Sequence, residues 1–383
     1  MKKLYYEDSF QKQFVATVLD CRKMGDLYAV QLDQSAFFPG GGGQPEDYGT
    51  LEGQVVYRLI EEGEELYHMV KYPFEIGQKV QGCIDFKRRL DFMQQHSGEH
   101  ILSGIIEKLH GYSNVGFHLS EETVTADFDG ILTEEQIREI ENLANEAIRE
   151  DQLVVCKVYT KEQLEHKNFR SKKVFDKAIR LVSIGVSDCC ACCGVHVKRS
   201  SQIGLIKILS AQKHRGGMRL VLKCGQRALE DYTYNLNQNK EISRLLSVPT
   251  EEVTSGVRAL WEEKQELKQK LYGMEEKYFD ALSQYVSDTE PICRVEEGLS
   301  PDAMRRLISK LCLKTTWPCL ILVPDQEGFK YALGQRDHNI SLLCQSLNEV
   351  FEGKGGGKEI CQGYLKGELL EIQERFRMLA LAD

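Results

Sequence analysis

The chain has 383 residues, 42% of them apolar and 28% charged, with only 8 prolines; at roughly 100–200 residues per domain it should hold two to four folded domains, which excludes a single small module and a disordered chain. Lys and Arg number 49 against 58 Asp and Glu, a net charge of −9 that on its own disfavours a nucleic-acid partner. No run approaches the roughly 18 apolar residues that span a bilayer, and the opening Met-Lys-Lys-Leu-Tyr-Tyr-Glu lacks a signal peptide's apolar stretch, so a cytoplasmic protein with no membrane partner is expected.

Residues 1–87 alternate as strands do, at 14–18 and 27–32, with glycines between them. They predict a small, β-barrel-like N-terminal domain. Within it Ser35-Ala36-Phe37-Phe38-Pro39 runs into Gly40-Gly41-Gly42-Gly43-Gln44-Pro45. Such a run lets backbone approach a ligand and frees amide N–H groups, although a tight β-turn uses the same residues. A helix follows over 88–109, its stripe of Leu90, Met93, Leu102, Ile105, Ile106 and Leu109 stopped by Gly111. Strands are expected at 115–119 and 122–128, then a helix capped by Thr133 with Ile137, Ile140, Leu143, Ala144 and Ile148 as its apolar side. With the mixed stretch 153–228 this makes an α+β domain over 88–236.

Positions 253, 257, 260, 264, 267, 271, 274, 278, 281 and 285 are spaced by four and three alternately, and all but Lys264 are apolar or aromatic. The seam predicts a helical, coiled-coil-like arm over 237–290 that makes a homodimer, against the plainer alternative of an amphipathic helix packed on a domain. After Pro291 come a helix at 302–312, a buried strand at 319–323, a helix at 340–351 and Gly353-Lys354-Gly355-Gly356-Gly357-Lys358. These predict a C-terminal α/β glycine-rich domain over 291–383. The whole is α+β in class.

The charge is unevenly spread. From Lys198 to Leu229 there is no acid, while Lys198, Arg199, Lys207, Lys213, Arg215, Arg219, Lys223 and Arg227 are basic. This is either a phosphate-facing surface or a solvated face balanced by acids such as Glu61, Glu62, Glu64 and Glu65.

Two clusters can carry chemistry. In His96-Ser97-Gly98-Glu99-His100 the histidines are four apart on one helix face, so both imidazoles can point at one metal ion. A metalloprotease would place Glu where Ser97 stands. In Asp188-Cys189-Cys190-Ala191-Cys192-Cys193-Gly194-Val195-His196, four of the 13 cysteines and a histidine fall within eight positions, a density that in a reduced compartment serves a metal. Two helix histidines with one thiolate and one imidazole from this turn would complete a tetrahedron around Zn²⁺. Spacing does not choose the thiolate. Cys189-x-x-Cys192 and Cys190-x-x-Cys193 also have knuckle spacing, which leaves a separate cysteine-rich structural site as the competing arrangement.

The Phe37-Phe38-Pro39-Gly40 segment continuing to Gly49, the His96-x-x-x-His100 helix and Cys192-x-x-x-His196 with Val197 together resemble the alanyl-tRNA editing proteins, freestanding relatives of the editing domain of alanyl-tRNA synthetase. Order and intervals match over roughly residues 1–235. The tail, with Gln362-Gly363, is similar to the glycine-rich domain that the synthetase shares with DHH-type phosphoesterases, so the chain looks like the long form of the editing protein. Cys193 stands where that family has glycine and Val195 where it has threonine, and Tyr364-Leu365 replace its closing glycine pair.

The resemblance implies one Zn²⁺ per chain on His96, His100, Cys192 and His196, and hydrolysis of the ester on mischarged tRNA(Ala), serine first and then glycine. It implies backbone amides of Gly41, Gly42 and Gly43 at the reacting carbonyl, Ser35 hydrogen-bonding the serine hydroxyl, and Gln44 and Asn114 as further polar contacts. RNA would meet Lys198, Arg199, Lys213, His214, Arg215 and Arg219, with Lys354 and Lys358 in the C-terminal domain. Zinc is either catalytic or a fixture of the pocket wall. Two other functions compete: a non-catalytic, zinc-stabilised RNA-binding protein, and a DHH-type phosphoesterase, for which Asp337-His338-Asn339 is a poor substitute for aspartate-rich metal motifs.

Overall fold

The computed structural model describes residues 1–164, 167–171 and 178–382. The chain divides into two compact units, Met1–Glu241 and Ile242–Asp383. The first opens with β1 (Lys2–Lys3), α1 (Leu4–Glu7), β2 (Gln13–Met24), β3 (Leu27–Leu32), β4 (Gln34–Ser35), β5 (Gly49–Leu51), β6 (Gln54–Val55), β7 (Arg58–Glu62), β8 (Glu65–Val70) and β9 (Lys79–Ile84). It continues through α2 (Phe86–His110), β10 (Asn114–Leu119), β11 (Val124–Phe128), α3 (Glu134–Arg149), β12 (Val154–Tyr159) and α4 (Lys161–Leu164). Then follow β13 (Ile179–Ile184), β14 (Asp188–Ala191), β15 (Ile206–His214), β16 (Gly217–Cys224) and α5 (Gly225–Leu246).

Seven N-terminal strands form one antiparallel sheet in the order β6-β5-β9-β2-β3-β8-β7. The barrel expected here is not closed, since among the described residues no pairing joins β6 to β7. The twelve-residue β2 serves two neighbours instead: residues 13–17 pair with β9, and beyond a bulge between Val18 and Asp20 the strand pairs with β3. A bulge of this kind bends a strand and raises its twist. Alternate residues Phe14, Ala16 and Val18 point into a core with Val30, Leu32, Phe37, Leu51 and Val80.

Asp85 caps α2 by accepting the Arg88 amide at 3.1 Å, and Gly111 ends it in the left-handed conformation at φ 71°. The Thr133–Gln136 capping box starts α3. Phe92, Ile101, Leu102 and Ile106 of α2 pack with Ile140, Ala144 and Ile148 of α3 against Val124, Ala126, Phe128, Leu220 and Leu222 of the antiparallel sheet β10-β11-β16-β15. A three-stranded sheet, β12-β13-β14, carries the chain to the cysteine cluster.

The second unit holds α6 (Val253–Gln284), β17 (Ile292–Val295), α7 (Pro301–Cys312), β18 (Cys319–Asp325), β19 (Gly328–Gly334), α8 (Ser341–Val350), β20 (Lys354–Gly356), β21 (Ile360–Lys366) and α9 (Leu369–Ala380). Its sheet runs β17-β18-β19-β21-β20, with β17–β18 its parallel pair. It is therefore mixed and largely antiparallel, not the alternating α/β layer expected. Alternation along β18 sends Leu320 and Leu322 to a core with α8 and α9, and Cys319, Ile321 and Val323 to one with α7 and Phe279 of α6. The seam residues Val257, Leu260, Leu267, Leu271 and Met274 of α6 are exposed. Among the described residues no helix is long and apolar enough to cross a membrane.

Candidate active site

Positions 95–106 of α2 are all buried. A helix sunk to this depth is normally apolar throughout, yet Gln95, His96, Ser97, Glu99, His100 and Ser103 are among these residues, and each buried polar group needs a partner. Gln95 finds its partner in the backbone of Cys224, accepting from the amide at 2.7 Å and donating to the carbonyl at 2.8 Å. Ser97 and the two histidines face the 188–197 segment.

There the donor atoms of His96, His100, Cys192 and His196 lie within 4.8 Å of one another. Every imidazole has its Nδ1 engaged: His96 with Gln44 Oε1 at 3.0 Å, His100 with Asp188 Oδ2 at 2.8 Å, and His196 with Ser97 Oγ at 3.2 Å. Nε2 is thereby left as the ligating atom on each ring, the arrangement that outer partners impose in metal sites. His96 Nε2 is 3.4 Å from Cys192 Sγ, and His196 Nε2 is buried without a hydrogen-bond partner.

For Cys192 and His196 the electrostatics favour the forms that bind a metal, whereas His100 would have to give up a proton to do so. Burial opposes ionisation of Cys192, but the surrounding imidazoles, His96 foremost, pull the thiol well below its ordinary range. Burial pushes His196 down to about 3, which keeps it neutral. For His100 burial again disfavours charge, and the Asp188 and Cys192 anions outweigh it and hold the ring well above the usual histidine value. Asp188 is in turn gripped by Arg170, Nε to Oδ1 at 2.7 Å and Nη2 to Oδ2 at 2.9 Å. A thiolate with three imidazoles, one carrying an orphaned buried nitrogen, fits a tetrahedral N/S metal site.

The ligand loop is held by its carbonyls. Arg180 Nη1 donates to Cys192 O at 2.9 Å and Gly194 O at 2.8 Å, the Tyr6 hydroxyl to Cys193 O at 2.8 Å, and the Ser9 hydroxyl to His196 O at 2.8 Å. Gly194 must lack a side chain, because a Cβ there would fall 2.3 Å from His96 Cε1. Cys189 is occupied elsewhere, accepting from Ser183 Oγ at 3.2 Å, and burial pushes the Cys190 thiol up to about 11. Among the described residues the cysteines form no knuckle of their own.

A cavity of about 420 Å³ adjoins the cluster, lined by Gly42, Gly43, Glu99, Asn114, Phe117 and Arg170 among others. Phe117 stacks on His96, with centroids 5.1 Å apart and planes at 26°. Gly42 (φ 61°) and Gly43 (φ 85°) form a two-residue turn closed by Gly41 N–H to Gln44 O at 2.9 Å and Gln44 N–H to Gly41 O at 3.0 Å. These bonds do not use the Gly42 and Gly43 amides.

The structure thus brings His96, His100, Cys192, His196, Gly42, Gly43 and Asn114 together, with Gly41 at the base of the turn. Gln44 stands behind the histidines, its Oε1 also accepting the Val195 amide at 3.1 Å. Ser35 is elsewhere: fully buried on β4, which pairs with β1, it contacts His68 Nε2 at 2.8 Å and accepts the Phe37 amide at 3.1 Å, so its hydroxyl is not in the cavity. Sequence reasoning passed over Arg170 and the buried Arg89–Asp47 pair, for which no local motif gave a signal, whereas the strand that carries Phe117 was a candidate wall of the site.

Most of the acid-free stretch is neutralised in space. Lys198 pairs with Asp8 at 2.8 Å, Arg199 with Asp151 at 2.5 Å, Arg219 with Asp127 at 2.6 Å, and Lys207, Lys223 and Arg227 with Glu141, Asp231 and Asp91. His214 Nε2 lies 3.8 Å from Asp127. Lys213 and Arg215, exposed on the β15–β16 hairpin, make no ion pair among the described residues. Lys354 and Lys358 are exposed on the second unit.

The family described as the threonyl and alanyl tRNA synthetase second additional domain matches residues 179–221, the span that contains Cys192 and His196. The alanyl-tRNA editing protein AlaX-L of Pyrococcus horikoshii is 29% identical over 394 residues, which cover 97% of this chain and 96% of that protein. The chain is a homologue of the alanyl-tRNA editing proteins. The alanine–tRNA ligase of Pyrococcus abyssi is 30% identical over 387 residues, and this chain spans only 42% of the ligase while matching it over 95% of its own length. The crystal structure of the C-Ala domain from Aquifex aeolicus alanyl-tRNA synthetase is similar at a TM-score of 0.22 and 19% identity, covering 24% of this chain and 89% of that one, too loose a likeness to bear on fold or function.

Proposed function

We propose that this protein is an aminoacyl-tRNA deacylase that hydrolyses mischarged tRNA(Ala), with serine and glycine as the wrong amino acids and one Zn²⁺ per chain on His96, His100, Cys192 and His196. The observation that carries the reading is the convergence of these four donors, one of them a buried nitrogen without a partner, beside a cavity that admits an aminoacyl group. The editing activity in the AlaX-L relative's name supports it. Zinc, when bound, supplies a Lewis acid and a fixed cationic wall.

An aminoacyl ester is already activated, so the chain's own work is placement and electrostatics. A water oxygen adds to the acyl carbon, the bond to the terminal ribose oxygen breaks, and that oxygen leaves with a proton from the water. The Gly42 and Gly43 amides are the donors available to negative charge on the carbonyl oxygen. Phe117, flat against His96, walls off water on one side. Since Ser35 lies outside the cavity, choice of seryl over alanyl ester falls to the polar atoms that line it. Lys213 and Arg215 would take the largest share of phosphate contact, with Lys198, Arg199, His214, Arg219, Lys354 and Lys358 around them. The exposed seam of α6 is the surface for a homodimer, and cytoplasmic translation the setting.

Incubation with seryl-, glycyl- and alanyl-tRNA(Ala), with and without a chelator, tests the proposal: loss of the first two esters and survival of the third is expected, and three intact esters would overturn it. A second reading has one observation in its favour, that four protein donors make the closed set typical of structural zinc. A non-catalytic tRNA-binding protein would bind the same RNAs and leave every ester intact, and manganese-dependent cleavage of short oligonucleotides would instead revive the phosphoesterase.

A further inference from the structure

The cavity is lined by two residues with a side-chain acceptor to which no hydrogen bond is made. Glu99, Ser103 and Glu107 follow one another at i, i+4 and i+8 on α2, so a row of oxygen-bearing side chains runs beside the His96–His100 pair. Glu99, Glu107 and Asn114 all line the cavity. Asn114 Nδ2 donates to Glu99 Oε1 at 2.5 Å and to Ser103 Oγ at 2.9 Å, and the Ser103 hydroxyl donates to the same carboxylate oxygen. These bonds orient the amide, because turned over it would set its oxygen against a carboxylate. Asn114 Oδ1 is then left buried and unpartnered on a residue only 7% exposed. Glu107 Oε2 is likewise buried without a hydrogen bond, its one ion pair being with Arg170 Nε at 3.4 Å, an N–H group that donates to Asp188.

Two acceptors without a hydrogen bond, one of them anionic, can receive a cationic group with several N–H donors. The acyl part of an aminoacyl ester carries one such group. We infer that Asn114 Oδ1 and Glu107 receive the α-ammonium of the substrate, so that the protein acts on esters of free amino acids and passes over those whose α-nitrogen is acylated or absent. The inference rests on the deacylase reading above and deepens it. Every amino acid has this group, so the subsite positions the acyl carbon against the Gly42–Gly43 turn and leaves side-chain selection to other contacts. A tRNA carrying a growing peptide would be spared for the same reason.

The test compares, on the zinc-loaded protein, seryl-tRNA(Ala), its near-isosteric analogue with a hydroxyl in place of the α-amino group, and the N-acetyl ester. A fall of about tenfold or more in kcat/KM is expected for both analogues, because a site built around a donor rejects the ligand that lacks it. Asn114→Leu and Glu107→Gln should each narrow the amino-to-hydroxy ratio by slowing the seryl ester selectively. An equal loss on both esters is what a merely structural role produces, and it would remove that residue from the subsite. Equal cleavage of amino and hydroxy esters by the unaltered protein would overturn the inference while the deacylase reading stands. An intact seryl ester would instead overturn the deacylase reading, and the inference with it.

Discussion

Gln44 Oε1 stands 3.0 Å from His96 Nδ1, which couples the Gly41–Gln44 turn to the first imidazole of the candidate donor set. The same oxygen accepts from Val195 beside the last ligand, so one side chain steers both ends of the cluster. Gln44→Leu should keep the fold and lower zinc affinity about 10- to 100-fold, the usual cost of losing such an outer partner, as read by competition with a chromophoric chelator. Unchanged affinity would show that the rings are held without it.

Arg89, fully buried, donates through Nε to Asp47 Oδ1 at 2.8 Å, through Nη1 to Ser9 O at 3.0 Å and through Nη2 to Ala36 O at 2.6 Å. Asp47→Ala leaves that guanidinium uncompensated and should destabilise the protein by about 3–5 kcal/mol in urea titrations. The double variant Arg89→Met with Asp47→Leu should lose less than Asp47→Ala alone, since no lone charge remains buried.

His68 links three strands through a chain in which the Phe37 amide donates to Ser35, the Ser35 hydroxyl to His68 Nε2, and His68 Nδ1 to Val30 O at 3.1 Å. This requires the neutral ring, and burial pushes its pKa from 6.5 down to about 4. The unfolded chain therefore binds the proton first: the contribution is whole above about pH 6.5, falls as pH drops toward 4, and amounts to about 3 kcal/mol in all. His68→Gln should flatten the stability profile between pH 6.5 and 4. A slope equal to that of the unaltered protein would assign the acid sensitivity to other groups.

Among the described residues Lys213 and Arg215 are the cations of the basic stretch without an ion pair, so they should dominate salt-dependent RNA binding. Replacing both by Ala should reduce the slope of log affinity against log salt by about 1.5 to 2. Arg199→Ala, whose guanidinium is already held by Asp151, should change it much less. Equal effects would mean that RNA displaces the carboxylate partners.

The sequence revealed those parts of the site that depend on near neighbours. The i, i+4 histidines, the Thr133 cap and the Gly111 terminator were legible because a helix brings them together within a turn. Spacing alone did not choose Cys192 over its neighbours, which the family resemblance did, because its position depends on Arg180 and Tyr6, which hold three consecutive carbonyls from elsewhere in the chain. The partners of residues 198–229 were not legible either, because the counter-ions, Asp8, Asp91, Asp127 and Asp151 among them, are remote in sequence. Ser35 was misplaced because nothing local says that its hydroxyl meets His68, 33 positions on.

The bonds from Tyr6 to Cys193 and from Ser9 to His196 each join residues 187 positions apart. On a ribosome adding about 5–20 residues per second, the first turn of the chain waits about ten to forty seconds for its partners to be made. The N-terminal sheet has time to form in that interval, whereas the ligand loop cannot be pinned until residues beyond 196 have left the tunnel. The four-donor set therefore cannot be assembled before His196, just past the middle of the chain, has emerged, and any product that stalls before it lacks the fourth donor.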